Sequence, residues 1–174
     1  MAHKPDTKVS GFVFFYVKIF DMKLTSNIFE NTGLIPSTYT CDGADINPPL
    51  SISDVSTSAK SLVLIMDDPD IPEGVKKSFG IEVWDHWVIF NIPPDTKEIK
   101  EGIEPKGVMG ANTRGNLAYG GPCPPDREHR YFFKLYALDT MLDLQAGSKK
   151  KEIEAAMEGH ILEKTELVGR YNRI

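Results

Sequence analysis

Three apolar stretches stand out along the chain: Ser61-Leu-Val-Leu-Ile-Met66, His86-Trp-Val-Ile-Phe-Asn-Ile92, and Arg130 through Leu138. The first is followed by Pro69 and Pro72, the second is stopped by Pro93-Pro94, and the third carries Lys134 as its interior charge. Continuous short runs rich in β-branched and aromatic residues, bounded by proline, predict strands covered on both faces. The core is therefore expected to be mainly β. From Lys149 to Lys164, apolar Ile153, Ala156, Met157 and Ile161 recur at near-helical spacing among charges, which predicts one amphipathic helix packed on the sheet. A short final strand, Thr165 to Tyr171, follows it. The irregular stretch from Lys97 to Glu128 carries Gly102, Gly107, Gly110, Gly115, Gly120 and Gly121, yet also Val108, Met109, Leu117 and Tyr119. Long loops that keep apolar residues tend to be ordered and functional.

A chain of 174 residues, 41% hydrophobic, suits one well-buried domain, expected over residues 22–174. Residues 1–21 contain the apolar run Gly11 to Val17 after Lys4 and Lys8, but Lys18 and Asp21 interrupt it and no small-x-small cleavage pattern follows. A bilayer span needs about 18 uninterrupted apolar residues. The segment is expected to be a tail, an extra edge strand or a misassigned start, and no stable membrane insertion is expected. A net charge of -5 gives no field that would gather nucleic acid, so any anion site must be local. The two cysteines, Cys41 and Cys123, are too few for a disulfide framework and lack zinc-site spacing. Thiols in a reducing compartment, hence a cytoplasmic location, are the expectation. The alternative is one bridge between the turns around Cys41 and Cys123, which depends on geometry.

The strand ends carry the candidate chemistry. Asp67-Asp68-Pro69-Asp70 follows the first run, Asp85-His86-Trp87 opens the second, and Gly120-Gly121-Pro122 leads to His129-Arg130-Tyr131. Polar loops held by a rigid sheet suggest one polar pocket for an anion. Asp68 beside His86 or His129 would favour the protonated ring and keep two N–H donors available. Gly121 could bring its backbone N–H close to a phosphate oxygen, Tyr131 could add a hydroxyl, and Trp84 with the prolines would exclude water. The plain rival is a solvated acidic turn with two core histidines. Arg130, next to His129 in a strand, should point to the opposite face and tie loops together.

In their order along the chain these motifs resemble the phosphatidylethanolamine-binding protein family, also called the Raf kinase inhibitor protein family, in its bacterial and archaeal branch. The resemblance rests on Met22-Lys-Leu-Thr-Ser26, Tyr39-Thr-Cys-Asp-Gly43, Asn47-Pro-Pro-Leu50, Asp67-Asp-Pro-Asp70, Trp84-Asp-His-Trp-Val-Ile-Phe-Asn91, Tyr119-Gly-Gly-Pro-Cys-Pro-Pro125 and His129-Arg-Tyr131. It implies a large antiparallel sheet against a smaller one, with one or two short helices. It also implies a pocket for phosphate-like anions or phosphorylated headgroups formed by Asp68, Asp70, Pro72, Trp84, His86, Gly121, Pro122, His129 and Tyr131. No cofactor, metal or catalytic residue is expected. The partners implied are such an anion, a kinase or protease that the protein would modulate or inhibit, and a second copy of the chain.

The departure from the eukaryotic members is the segment Ile71–Val83, shorter than theirs, which changes the pocket rim. The alternative function is a metal-dependent hydrolase using Asp68, His86 and His129 around a zinc-activated water. Against it stand the missing His-Glu-x-x-His spacing, the missing Gly-x-Ser-x-Gly elbow, and a Cys123 flanked by prolines. A protease inhibitor would instead use an exposed segment.

Overall fold

Strand β4 (Ser61–Asp68) is buried at every one of its 8 positions, because alternate side chains enter two different cores. Leu62, Leu64 and Met66 pack with Trp87, Tyr131, Phe133 and the small-sheet residues Leu24, Leu50, Ile52 and Ile99. Val63 and Ile65 pack on the other side with Val88, Phe90, Ile153 and Met157. The computed structural model describes residues 21–173, so the expectations for the N-terminal segment lie outside the described residues.

The small sheet is antiparallel, in the order β1 (Lys23–Thr25), β3 (Leu50–Ser53), β6 (Glu98–Ile99). Among the described residues the large sheet has 6 strands: β2 (Gly33–Leu34), β9 (Ile161–Tyr171), β8 (His129–Leu138), β4, β5 (Trp84–Ile92) and β7 (Val108–Met109). All its pairings are antiparallel except β2 with β9. The expected mainly β fold with a large and a smaller sheet is the one observed.

Two local expectations change, the extent of the C-terminal helix and the start of the final strand. The C-terminal helix, α2 (Lys150–Met157), is shorter than the apolar spacing implied. Glu158, at φ -58 and ψ 126, leaves the helical path, Gly159 at φ +80 completes the turn, and Ile161 opens β9 instead, 44% exposed. A second helix, α1 (Glu73–Phe79), occupies the loop after β4, starting at Pro72 and ending at left-handed Gly80. It has no buried residue, so no apolar stripe announced it.

Cys41 and Cys123 form a disulfide across a sequence separation of 82. The expected free thiols are thereby corrected: the turn after the 3-10 segment Ser37–Tyr39 lies against the approach to β8, where the Cys41 N–H donates to the Pro122 carbonyl at 3.1 Å. The bridge also removes the premise, reduced thiols, on which the cytoplasmic expectation rests. No helix among the described residues is long and apolar enough to cross a membrane.

Candidate functional site

A bulge at the start of β5 creates the site. Met66 pairs with Trp87 and Asp67 with Asp85, so His86 is an extra residue with no cross-strand partner. A bulge re-aims side chains by inserting one residue. Here His86 turns into a cavity at the sheet end, while Asp85 joins Asp67 beside α2.

The cavity holds about 270 Å³ and is lined by Asp68, Pro72, Trp84, His86, Gly121 and His129 among the residues singled out from sequence. Its remaining walls include Asp45, Asn112, Arg114, Asn116 and Tyr119, with Ile71 before α1 and Val75 and Phe79 along it. Phe79 meets Trp84 edge-on at 5.0 Å, and the Arg114 guanidinium lies over the Trp84 ring at 5.8 Å. Arg114 is held there by an Asn-based turn: the Asn112 Oδ1 accepts the backbone N–H groups of Arg114 and Asn116, both at 3.0 Å. The polar cluster Asn112-Thr-Arg-Gly-Asn116 within the long glycine-rich loop was the available sequence signal for it.

Three expected members do not line the cavity. Asp70 turns away and receives Arg130 twice, Nε to Oδ2 and Nη2 to Oδ1, each at 2.7 Å. That pair fastens the first loop to β8, and Arg130 accordingly stands on the face opposite His129. Pro122 is buried behind the disulfide, its carbonyl taken by Cys41. Tyr131 is fully buried between the rings of His86 and His129, at 5.2 and 6.5 Å. Its hydroxyl reaches the Cys123 backbone only outside normal hydrogen-bond geometry, and burial pushes its pKa up. Tyr131 supports the wall, and its hydroxyl makes no hydrogen bond among the described residues.

Two expected donors are also spent elsewhere. The Gly121 N–H donates to Asp45 Oδ1 at 2.7 Å, because Asp45, at φ 53, folds its carboxylate back onto that loop. A side chain at Gly121 would meet Asp45 Oδ1 at 2.5 Å and the Tyr39 carbonyl at 2.6 Å, so glycine is what permits the approach. The His86 Nδ1–H donates to the Gly120 carbonyl at 2.7 Å, and burial pushes the ring down to about 4. At neutral pH His86 is thus uncharged, and Nε2, without a protein partner among the described residues, is a hydrogen-bond acceptor.

His129 is fully buried between two carboxylates. Nδ1 meets Asp68 Oδ2 at 2.7 Å and Nε2 meets Asp126 Oδ1 at 2.9 Å. Asp68 also accepts the Asp70 N–H at 2.7 Å. Burial pushes the Asp68 carboxyl up, against the lowering effect of His129. Asp126 was not anticipated, since a carboxylate three residues before a strand histidine reads as an ordinary turn residue. With both nitrogens of His129 facing carboxylates, neither is free for a metal, and no group of at least 3 His, Cys, Asp or Glu among the described residues is placed to hold one.

The buried, neutral His86 makes stability depend on pH. The unfolded ring takes a proton near 6.5, whereas the folded ring refuses it until about 4, so stability falls as pH drops through that window. The shift corresponds to at most about 3 kcal/mol, partly offset by Asp68, whose raised folded value works in the opposite direction. Denaturant unfolding between pH about 7 and about 4 should show this slope in the wild type and a flatter one in His86→Phe. Equal slopes would mean that His86 is protonated in the fold.

The family model described as phosphatidylethanolamine-binding protein matches residues 25–172. A UPF0098 protein of Methanothermobacter thermautotrophicus is 51% identical over 158 residues, covering 87% of this chain and 99% of its own. The crystal structure of a phosphatidylethanolamine-binding protein homologue from Chlamydia trachomatis superposes with a TM-score of 0.84 at 44% identity, covering 88% of this chain and 98% of that one. Escherichia coli YbcL, described as a member of the mammalian family, gives 0.77 at 26% identity, covering 88% and 99%. Together with the two-sheet fold and the cavity at its end, these matches place the chain in the phosphatidylethanolamine-binding protein family.

Proposed function

We propose that the chain binds a small phosphorylated group in the cavity at the sheet end without transforming it. The observation that carries this reading is the distribution of partners: one guanidinium, Arg114, at the rim, and an acceptor, the His86 Nε2, at the wall. A phosphomonoester monoanion complements both, its P–OH donating to His86 and its charged oxygens accepting from Arg114. The second ionisation of such a group lies near pH ~6, so this form is available close to neutrality. The apolar edge of Val75, Phe79 and Trp84 would cover the ester's carbon side. Free phosphate and a lipid headgroup share this chemistry.

Calorimetric titration of phosphate and of phosphoethanolamine into chelator-treated protein tests the reading. Saturable binding is expected, weakened roughly tenfold or more by Arg114→Ala, because a hydrogen bond to a charged group is worth about 1.5–3 kcal/mol. Tighter binding of phosphoethanolamine would favour the headgroup. No binding of either would sink the proposal, and binding only after zinc is restored would overturn its metal-free form.

A further inference from the structure

The chain Asp126···His129···Asp68 leads from solvent to the cavity. Asp126 is 40% exposed in its side chain, His129 is 0% and Asp68 4%. The outer carboxylate is held by Arg127 as well: Arg127 Nη1 donates to Asp126 Oδ2 at 2.7 Å and Nη2 to the Asp70 carbonyl at 2.9 Å. The bond from His129 to Asp126 therefore has a fixed direction, and it faces away from the cavity.

We propose that Asp126 is a positioning residue of the cavity: by receiving the outer ring N–H of His129, it holds the ring doubly protonated beneath the bound anion and adds a pH dependence of its own to that of the anion's second ionisation. This rests on the phosphate-binding reading above. With both protons present, every contact of the ring is a donated hydrogen bond, one to each carboxylate. Once the ring loses a proton, one nitrogen is left facing a carboxylate oxygen with no hydrogen between them. The cavity then also loses the positive charge that offsets Asp68 against an incoming anion.

The groups facing His129 are Asp68 from β4, Asp70 from the loop after it, Asp126 from its own approach, Tyr131 on β8, His86 across the cavity on β5, and Tyr171 opposite on β9. Among the described residues, only Asp68 and Asp126 bond the ring. Asp126 is kept low first by its bond to His129 and remains ionised, whereas burial pushes Asp68 up. The outer partner is thus the one that retains its charge as the pH falls.

The test combines two readouts on the full chain. Nitrogen-15 NMR of the histidine rings, titrated without ligand, should show the His129 midpoint falling by about one unit or more in Asp126→Asn, as expected when an opposite charge in contact is removed, and returning in Asp126→Glu. Phosphate affinity of Asp126→Asn should match the wild type near pH ~5.5 and fall about tenfold below it near pH ~8. An unmoved ring midpoint, or an affinity loss equal at both pH values, overturns the proposal, the latter because it is what a merely structural role predicts. If phosphate does not bind the wild type at all, the phosphate reading fails, and the ring titration still decides whether Asp126 controls His129.

Discussion

Lys150→Met is expected to lower the unfolding free energy by roughly 3–5 kcal/mol, the cost of leaving a buried ion without its partner. The bulge at His86 sets Asp67 and Asp85 side by side across β4 and β5, and Asp67 is only 1% exposed. Lys150, the first residue of α2, bonds Asp67 Oδ2 at 2.6 Å and lies within ion-pair range of Asp85 Oδ1 at 3.1 Å, outside hydrogen-bond alignment. Lys134 adds a second bond to Asp67 Oδ2 at 2.8 Å, but its side chain is 30% exposed and does not reach Asp85. Burial already pushes the Asp85 carboxyl up, with Lys150 as the largest opposing influence. Without Lys150, Asp67 keeps only the partly exposed Lys134 and Asp85 keeps no ion-pair partner among the described residues.

Urea unfolding measures the effect, and Asp85→Asn in the Lys150→Met background should recover part of it, because the uncompensated charge on Asp85 is then gone. A loss under about 1 kcal/mol would show that the pair is hydrated, as surface ion pairs are. The consequence reaches the cavity, since Asp68 and His86 are the chain neighbours of this pair and depend on the same strand ends.

Reduction of the Cys41–Cys123 bridge is expected to cost about 4.5 kcal/mol, the chain-entropy value for a closed loop spanning a separation of 82 residues. For a chain of this size that is a fall in melting temperature of roughly 9–18 °C. Both cysteines line the cavity, yet the two loops remain joined by other bonds: Cys41 to the Pro122 carbonyl, Gly121 to Asp45, and the Tyr119 hydroxyl to the Tyr39 carbonyl at 2.8 Å. Phosphate affinity of the reduced protein should therefore stay within a few-fold of the oxidised protein at temperatures below melting. Calorimetric scans with and without reductant check the stability, and an unchanged melting temperature would mean that the loops are held by these bonds alone.

The strands were legible because burial on both faces writes itself locally. Ser61 to Met66 could only be a two-sided strand, and the runs ending at Ile92 and Leu138 repeat the pattern. Asp68, His86 and His129 could be singled out because acid and imidazole groups flank those runs. The same logic overextended α2 to Lys164, since apolar spacing continues smoothly across Gly159 while the backbone does not. The short α1, with no buried face, left no pattern to find.

Which group each polar atom meets was not legible. Asp70 and Asp68 are two residues apart and both acidic, yet one receives Arg130 and the other His129, because alternate positions along β8 project to opposite faces. The Gly121 N–H went to Asp45 through a left-handed turn 76 residues away, and His86 became a neutral acceptor once its Nδ1 found the Gly120 carbonyl. Hydrophobic periodicity depends on a residue and its near neighbours, so it survives in the linear chain. Hydrogen-bond partners, the disulfide and the charge state of a buried ring depend on register and packing between distant segments, and those exist only after the sheets have closed.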